Sequence, residues 1–242
     1  MRLDQQLVTA HIEEFLGYGN PKARWWFVGM EEKGSPDFLE AERRLNAWHD
    51  LGPNPFVDLT TFLDAAGLES PHRNKPLDWR DYCTAWKRQV HILLSAQGLP
   101  CKDKEIVDCF DQWGAESGQT ALIDLKPLPC PDWNTWLWPQ WCDVESSKEA
   151  FLARIEAARC RKIADAIKAS SPPRCVVFYG TSLKRHWLQI ADCELNPVVQ
   201  TGILSAKTNG TVFVVVPQRR KQGISYELME EVGPWVKNEL AA

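Results

Sequence analysis

The apolar positions along the chain change period several times, and each change marks an element. Leu7, Val8, Ile12, Phe15 and Leu16 recur at helical spacing over Leu3 to Leu16, and Gly17 and Gly19 end that pattern. Trp25-Trp26-Phe27-Val28 then forms an unbroken apolar run, which predicts a buried strand that breaks at Gly29. Helical periodicity covers Asp37 to His49, Val57 to Ala66, Trp79 to Gln97 and Lys102 to Phe110, with a Pro/His/Asn-rich turn near Pro71 to Pro76. Ala121-Leu122-Ile123-Asp124-Leu125 reads as the second strand. Pro127 to Pro139 contains four prolines and three tryptophans and reads as an extended loop, because proline does not continue a helix or a central strand. Ser146-Ser147-Lys148-Glu149 has a capping-box pattern ahead of a long helix that reaches about Ala169. Cys175 to Tyr179 is a third strand, closed by Gly180, and Thr181 is expected to cap a helix through about Ile190. Val198 to Leu204 reads as a strand joined through Asn209-Gly210 to Thr211 to Val216, which Pro217 ends. Ser225 opens a last helix, with a break expected at Gly233-Pro234.

Strands that are unbroken apolar runs, alternating with helices, predict a parallel sheet covered on both faces. The expected fold is therefore a three-layer α/β/α domain over residues 1–242, built on a central, mostly parallel four-stranded sheet, with residues 51–118 as a helical insertion. A composition of 44% hydrophobic and 25% charged residues is that of a globular chain. No apolar run approaches the roughly 20 residues needed to span a bilayer. Met1 to Phe15 carries acids and glutamines within a helical pattern, unlike a signal peptide, so a cytoplasmic protein with no membrane partner is expected.

The eight cysteines include no C-x-x-C pair and the five histidines no H-E-x-x-H, so reduced structural thiols and no metal are expected. Neither G-x-G-x-x-G nor a phosphate-binding G-x-x-x-x-G-K-S/T sequence occurs, and no cofactor is expected. A net charge of −4 gives no global basic field for nucleic acid, although a local patch remains open. Twelve tryptophans fit either a Trp-rich core or a surface that stacks flat ligands.

Ligands of open α/β sheets bind beyond the carboxyl ends of the strands. Those ends are Gly29 to Gly34, Asp124 to Pro131, Gly180 to Ser182 and Pro217 to Lys221. Gly29 permits close backbone approach, and Glu31 or Glu32 could orient or deprotonate a water; a solvated acidic pair is the plain alternative. Asp124 interrupts an apolar strand, either to read a ligand's donor edge or to accept from a backbone N–H in the proline loop. Arg219-Arg220-Lys221, joined by Lys184, Arg185 and His186, could neutralise phosphates or simply be solvated surface.

Taken together, the four strand ends resemble the uracil-DNA glycosylase superfamily, nearest to its single-strand-selective monofunctional branch. Gly29-Met30-Glu31-Glu32-Lys33 is similar in place to that branch's Gly-Met-Asn-Pro-Gly motif. Asp124-Leu125-Lys126-Pro127-Leu128 shares the Pro-Leu offset of its Asn-Tyr-Cys-Pro-Leu, and Val177-Phe178-Tyr179-Gly180 looks like its third strand and glycine. Pro217-Gln218-Arg219-Arg220 falls where the family has His-Pro-Ser-Pro. The resemblance implies excision of a flipped base from DNA by hydrolysis of its N-glycosidic bond, with DNA or a nucleotide as partner. It implies Glu31 as the water-orienting residue and Gln218 in place of the histidine that steadies the departing base. Gly29, Met30, Glu32, Asp124, Pro127, Gly180, Arg219, Arg220 and Lys221 would bind substrate, Asp124 at the base edge and the last three in the wedge loop.

Two departures matter. An ionised Asp124 can only accept, so it should repel a uracil carbonyl and favour a base with an exocyclic amino group. Gln218 donates a hydrogen bond without the histidine's charge. Two other functions fit the same residues. One is a non-catalytic reader of nucleotides or single strands, stacking on Trp133, Trp136 and Trp138; the other is a protein-interaction module using the loop from Pro127 to Trp141.

Overall fold

The computed structural model describes residues 1–34, 37–68, 84–132, 134–169, 174–198, 203–217 and 226–241. In chain order the elements are α1 (Gln5–Glu14), β1 (Gly17–Gly19), β2 (Trp25–Lys33), α2 (Phe38–Asp50), β3 (Phe56–Val57), α3 (Leu59–Ala65), α4 (Thr84–Gln97) and α5 (Asp103–Phe110). They continue with β4 (Thr120–Cys130), α6 (Lys148–Lys168), β5 (Cys175–Tyr179), α7 (Lys184–Ala191), β6 (Asn196–Pro197), β7 (Leu204–Thr208), β8 (Thr211–Val216) and α8 (Tyr226–Ala241).

The class is α/β, but the sheet is not four-stranded. Among the described residues, eight strands form one mixed sheet in the order β3-β1-β4-β2-β5-β8-β7-β6. The four strands foreseen as apolar runs form its centre, where β4–β2, β2–β5 and β5–β8 are all parallel. Antiparallel pairings flank them, at β1–β4 on one side and at β8–β7 and β7–β6 on the other. The missed strands are short or only half apolar, so they carry little periodicity to read. The region expected as a strand over Val198 to Leu204 contributes only the first residue of β7, while its residues 199–202 lie outside the described residues. Asn209, with φ 50°, and Gly210 make the β7–β8 turn as expected.

Side chains alternate across the central strands and so build a core on each face. One face carries Phe27, Leu122, Val177, Tyr179 and Val214 against helices α3, α4, α5 and α8. The other carries Trp26, Val28, Ile123, Phe178 and Val215 against α6 and α7. The stretch 51–118 thus supplies much of the helical cover of the first face. A third cluster joins α1, α2, the end of β4 and the start of α6.

Several boundaries differ from the sequence reading. β2 does not break at Gly29 but runs on to Lys33, with a register shift between Glu31 and Lys33. β4 runs straight through Pro127 and Pro129, and Cys130 still pairs with Lys33. It tolerates the prolines because β1 covers its other edge only from Ala121 to Ile123, so beyond that point the ladder needs donors on one side alone. The first residues of the expected proline loop are therefore strand.

The helix caps also shift. Ser147, rather than the four-residue box, caps α6 by accepting from the Ala150 N–H. Thr181 caps nothing with its side chain; Gly180, at φ 95°, opens a 3-10 turn at Thr181–Leu183 that feeds α7. The last helix passes through Gly233-Pro234 without stopping. Proline inside a helix costs about 3 kcal/mol, but Met229, Val232 and Val236 are buried here, and each is worth about 1.5–3 kcal/mol.

The tryptophans settle largely into the core. Trp26, Trp48, Trp113 and Trp187 are fully buried, and Trp138 is 3% exposed. Trp138 donates its indole N–H to the Pro129 carbonyl at 3.0 Å, and Trp136 donates to the Glu145 carbonyl at 2.8 Å. Of the proposed stacking trio these two pack inward, and Trp133 lies outside the described residues. The seven cysteines among the described residues are free thiols. No described helix is long and apolar enough to cross a membrane.

Candidate functional site

The parallel register sets three strand ends side by side. Gly29 of β2 pairs with Asp124 of β4, and Val28 pairs with Phe178, so Tyr179 is the next residue of β5 beside Gly29. Phe27, Leu122 and Tyr179 all belong to the first-face core, which puts Asp124, Gly29 and Tyr179 in a row on that face. Gly29 is the gap in this row. A Cβ there would lie 2.6 Å from Asp124 Oδ1, so the carboxyl leans into space that only glycine leaves open.

Asp124 is half-buried, and its pKa is pushed up to about 8. Desolvation is the main cause, with the nearby Glu32 and Glu31 charges adding to it and Arg159 opposing. At neutral pH the carboxyl is therefore mostly protonated, and it presents one O–H donor and one carbonyl acceptor. The residue type alone predicts an acceptor-only carboxylate, whereas burial beside Glu32 shifts Asp124 toward the protonated form.

Tyr179 closes the row from the other side. Its side chain is 3% exposed and its hydroxyl has no hydrogen-bond partner among the described residues. Burial raises its pKa well above the ordinary phenol value, against the opposing charge of Arg88 on α4. An orphaned buried hydroxyl costs on the order of 1–3 kcal/mol unless something in solution satisfies it.

The two glutamates diverge. Glu32 accepts from the Tyr18 hydroxyl at 2.7 Å and from Arg44 at 2.8 Å, and Arg44 also reaches Glu40 at 2.9 Å. Its negative charge helps to raise the Asp124 pKa. Glu31 instead sits between two nearly buried lysines, Lys126 at 3.3 Å and Lys148 at 3.2 Å. Lys148 also donates to the Asp132 carbonyl at 2.9 Å, and burial lowers the Lys126 pKa despite Glu31. Both of these ion pairs occupy the Glu31 carboxylate from the lysine side.

The remaining residues serve as supports. Met30 is buried with its sulfur 3.6 Å from Lys126 Nζ, and Pro127 accepts from His11 Nε2 at 3.2 Å. Gly180 takes an N–H···O bond onto Val216 at 2.9 Å and accepts from Trp187 Nε1 at 2.7 Å. The guanidinium of Arg159, on α6, donates to the main-chain carbonyl of Asp124 at 2.7 Å, to that of Leu16 at 3.1 Å and to that of Phe15. It thereby ties the base of the site to the end of α1.

Gln218, Arg219, Arg220 and Lys221 lie outside the described residues. Arg185 and His186, foreseen on the same basic face, both engage Glu156 of α6, at 2.8 and 2.9 Å. A cavity of about 500 Å³ lies apart from the strand ends, between Gln5, Thr9 and Glu13 of α1 and the segment Pro139–Glu145. None of the strand-end residues lines it.

No protein-family model matches the chain, and no curated protein matches it. The site therefore has to be read from its own chemistry. Sequence reasoning missed Tyr18, Tyr179, Arg88 and Arg159. Two of them left a signal: Tyr179 is the last residue of an apolar run, and Arg159 interrupts the apolar stripe Phe151, Ile155, Ile163, Ile167 at its central position.

Proposed function

We propose that the chain is a nucleobase-recognising protein of the uracil-DNA glycosylase kind, whose strand-end site reads the lactam edge of a base flipped out of a nucleic acid. The observation that carries this is the Asp124 carboxyl lying over Gly29, where burial and the Glu32 charge push its pKa up to about 8. A lactam edge pairs a carbonyl acceptor with an N–H donor, and a protonated carboxyl offers the matching donor and acceptor side by side. It does what an asparagine amide would do there. A base with an amino group and a bare ring nitrogen needs the proton on the other carboxyl oxygen.

Gly29 supports the reading by making room for the Asp124 carboxyl, and Tyr179, with its unpartnered hydroxyl, follows in the same row. Excision of the base is the catalytic form of this reading, with Glu31 orienting the water. The lysine clamp around Glu31 favours a second reading, in which the site binds a base without releasing it.

The test is binding and base release with single-stranded oligonucleotides carrying uracil, hypoxanthine, cytosine or adenine at one position. Lactam bases should bind about 10–100-fold more tightly than amino bases, as expected for a bidentate edge contact. The preference should fade above pH 8 as Asp124 ionises. Asp124→Asn should keep the preference and lose its pH dependence, whereas Asp124→Leu should lose the preference. Equal affinity for all four bases would defeat the proposal. Alkali-labile sites that vanish in Glu31→Gln would establish excision; selective binding without them would establish the non-catalytic form.

A further inference from the structure

Away from the strand ends, three side chains of different chemistry converge on one point. His91 Nδ1 of α4 faces Glu230 Oε1 of α8 at 2.9 Å. Cys101, in the segment after α4, folds back so that its thiol donates to the His91 carbonyl at 3.6 Å. The ligating atoms of His91, Cys101 and Glu230 all lie within 4.8 Å of one another.

The backbone brings them together by identifiable means. α4 ends at Gly98, whose φ of 74° turns the chain, and Leu99 N–H bonds back to the Leu94 carbonyl at 2.9 Å. That reversal returns Cys101 to the last turns of α4. Gly233, three residues after Glu230, lets α8 come close to α4, because a Cβ there would meet Ser95 Oγ at 2.0 Å. The His91 ring is stacked on Tyr226 at 4.7 Å and 27°, which fixes the direction of Nδ1.

We infer that His91, Cys101 and Glu230 form a binding site for a divalent transition-metal ion of the zinc class. A thiolate, an imidazole nitrogen and a carboxylate are together a three-ligand set suited to zinc, and tetrahedral geometry leaves a fourth position for water. The Glu230 side chain is 44% exposed, so water reaches that side. Binding displaces the proton of the Cys101 thiol to solvent; thiolate and carboxylate then balance the two positive charges of the ion. The ion would clasp α4, the segment after it and α8. No short spacing announces such a site, because the third ligand lies far along the chain from the first two.

The experiment is titration of the chelator-treated chain with Co²⁺, followed by displacement with Zn²⁺, reading the thiolate-to-cobalt charge-transfer absorption and the melting temperature. One equivalent of Co²⁺ should develop the band, and Zn²⁺ should abolish it and raise the melting temperature. Cys101→Ser should remove the band, and Glu230→Gln, at a half-exposed position, should weaken binding by at least about 10-fold. Failure of the wild-type chain to develop the band overturns the inference. So does a band of full strength in Cys101→Ser, which would place the thiolate at another cysteine.

Discussion

At Gly29 the backbone does not adopt the left-handed region, so what glycine contributes there is the absence of a side chain. The nearest atom to an added Cβ would be Asp124 Oδ1 at 2.6 Å, closer than real contacts allow. Gly29→Ala therefore drives the Asp124 carboxyl out of its position over β2. Because the strand on either side is buried, the displacement should cost about 1–3 kcal/mol, which is roughly 2–4 °C in melting temperature for each kcal/mol in a chain of this size. Binding of a lactam base should fall at least about 10-fold, since one edge contact is worth about 1–3 kcal/mol. Thermal denaturation and oligonucleotide titration check both figures. Unchanged binding in a destabilised Gly29→Ala would separate the glycine's packing role from base recognition. The same contact explains why the sequence misled about Asp124: the residue type alone implies a charge, and only its neighbours make it neutral.

At the scale of elements, the apolar runs were legible because burial on both faces leaves no polar alternation to confuse them. Their ends were not. Gly29 looked like a stop and Pro127 looked like a loop, but a central strand with a partner along one edge only can hold both. The two-residue strands β3 and β6 are too short for any period to show. Gly233-Pro234 misled for a related reason, since propensity weighs the local backbone and not the neighbouring helix. A Cβ on Gly233 would meet the Ala96 amide nitrogen at 2.5 Å and the Ile92 carbonyl oxygen at 2.8 Å, both backbone atoms that cannot rotate away. Gly233→Ala should then force α8 off α4 and destabilise the chain by about 1–3 kcal/mol, despite alanine's better helix propensity, worth about 1 kcal/mol in the opposite direction. Chemical denaturation decides the sign: a net gain in stability would mean that the two helices are not in close contact. In the site itself, the apolar runs marked the strands of the sheet's centre but not their order. The lysines around Glu31 and the hydroxyl of Tyr179 depend on long-range packing that no local pattern encodes.

At the scale of the whole molecule, buried His11 and half-buried Asp124, with opposite shifts, shape stability against pH. His11 is held neutral, with its pKa lowered to about 3, chiefly by burial and next by the charge of Arg159. Between about pH 6.5 and 3 the unfolded chain takes up a proton at His11 that the folded chain refuses, so stability is lost as pH falls through that window. Asp124 acts the other way. Its pKa is raised to about 8, so the folded chain keeps a proton that the unfolded chain releases above about pH 4. Stability is then lost as pH rises from about 4 to 8. Between pH 4 and 6.5 the two slopes oppose each other, and their joint contribution is nearly flat. Above 6.5 Asp124 acts alone, and below 4 His11 does. Asp124→Asn should therefore gain stability over the wild type progressively up to pH 8, by on the order of 1–3 kcal/mol given the half-buried carboxyl. His11→Gln keeps an N–H donor for the Pro127 carbonyl at a similar position, and its advantage should instead grow toward pH 3, reaching on the order of 2–4 kcal/mol. Urea denaturation of both variants and the wild type across pH 3 to 9 separates the two effects. If the Asp124→Asn difference were independent of pH, Asp124 would ionise normally in the folded chain, and the donor that recognises a lactam edge would be lost with it.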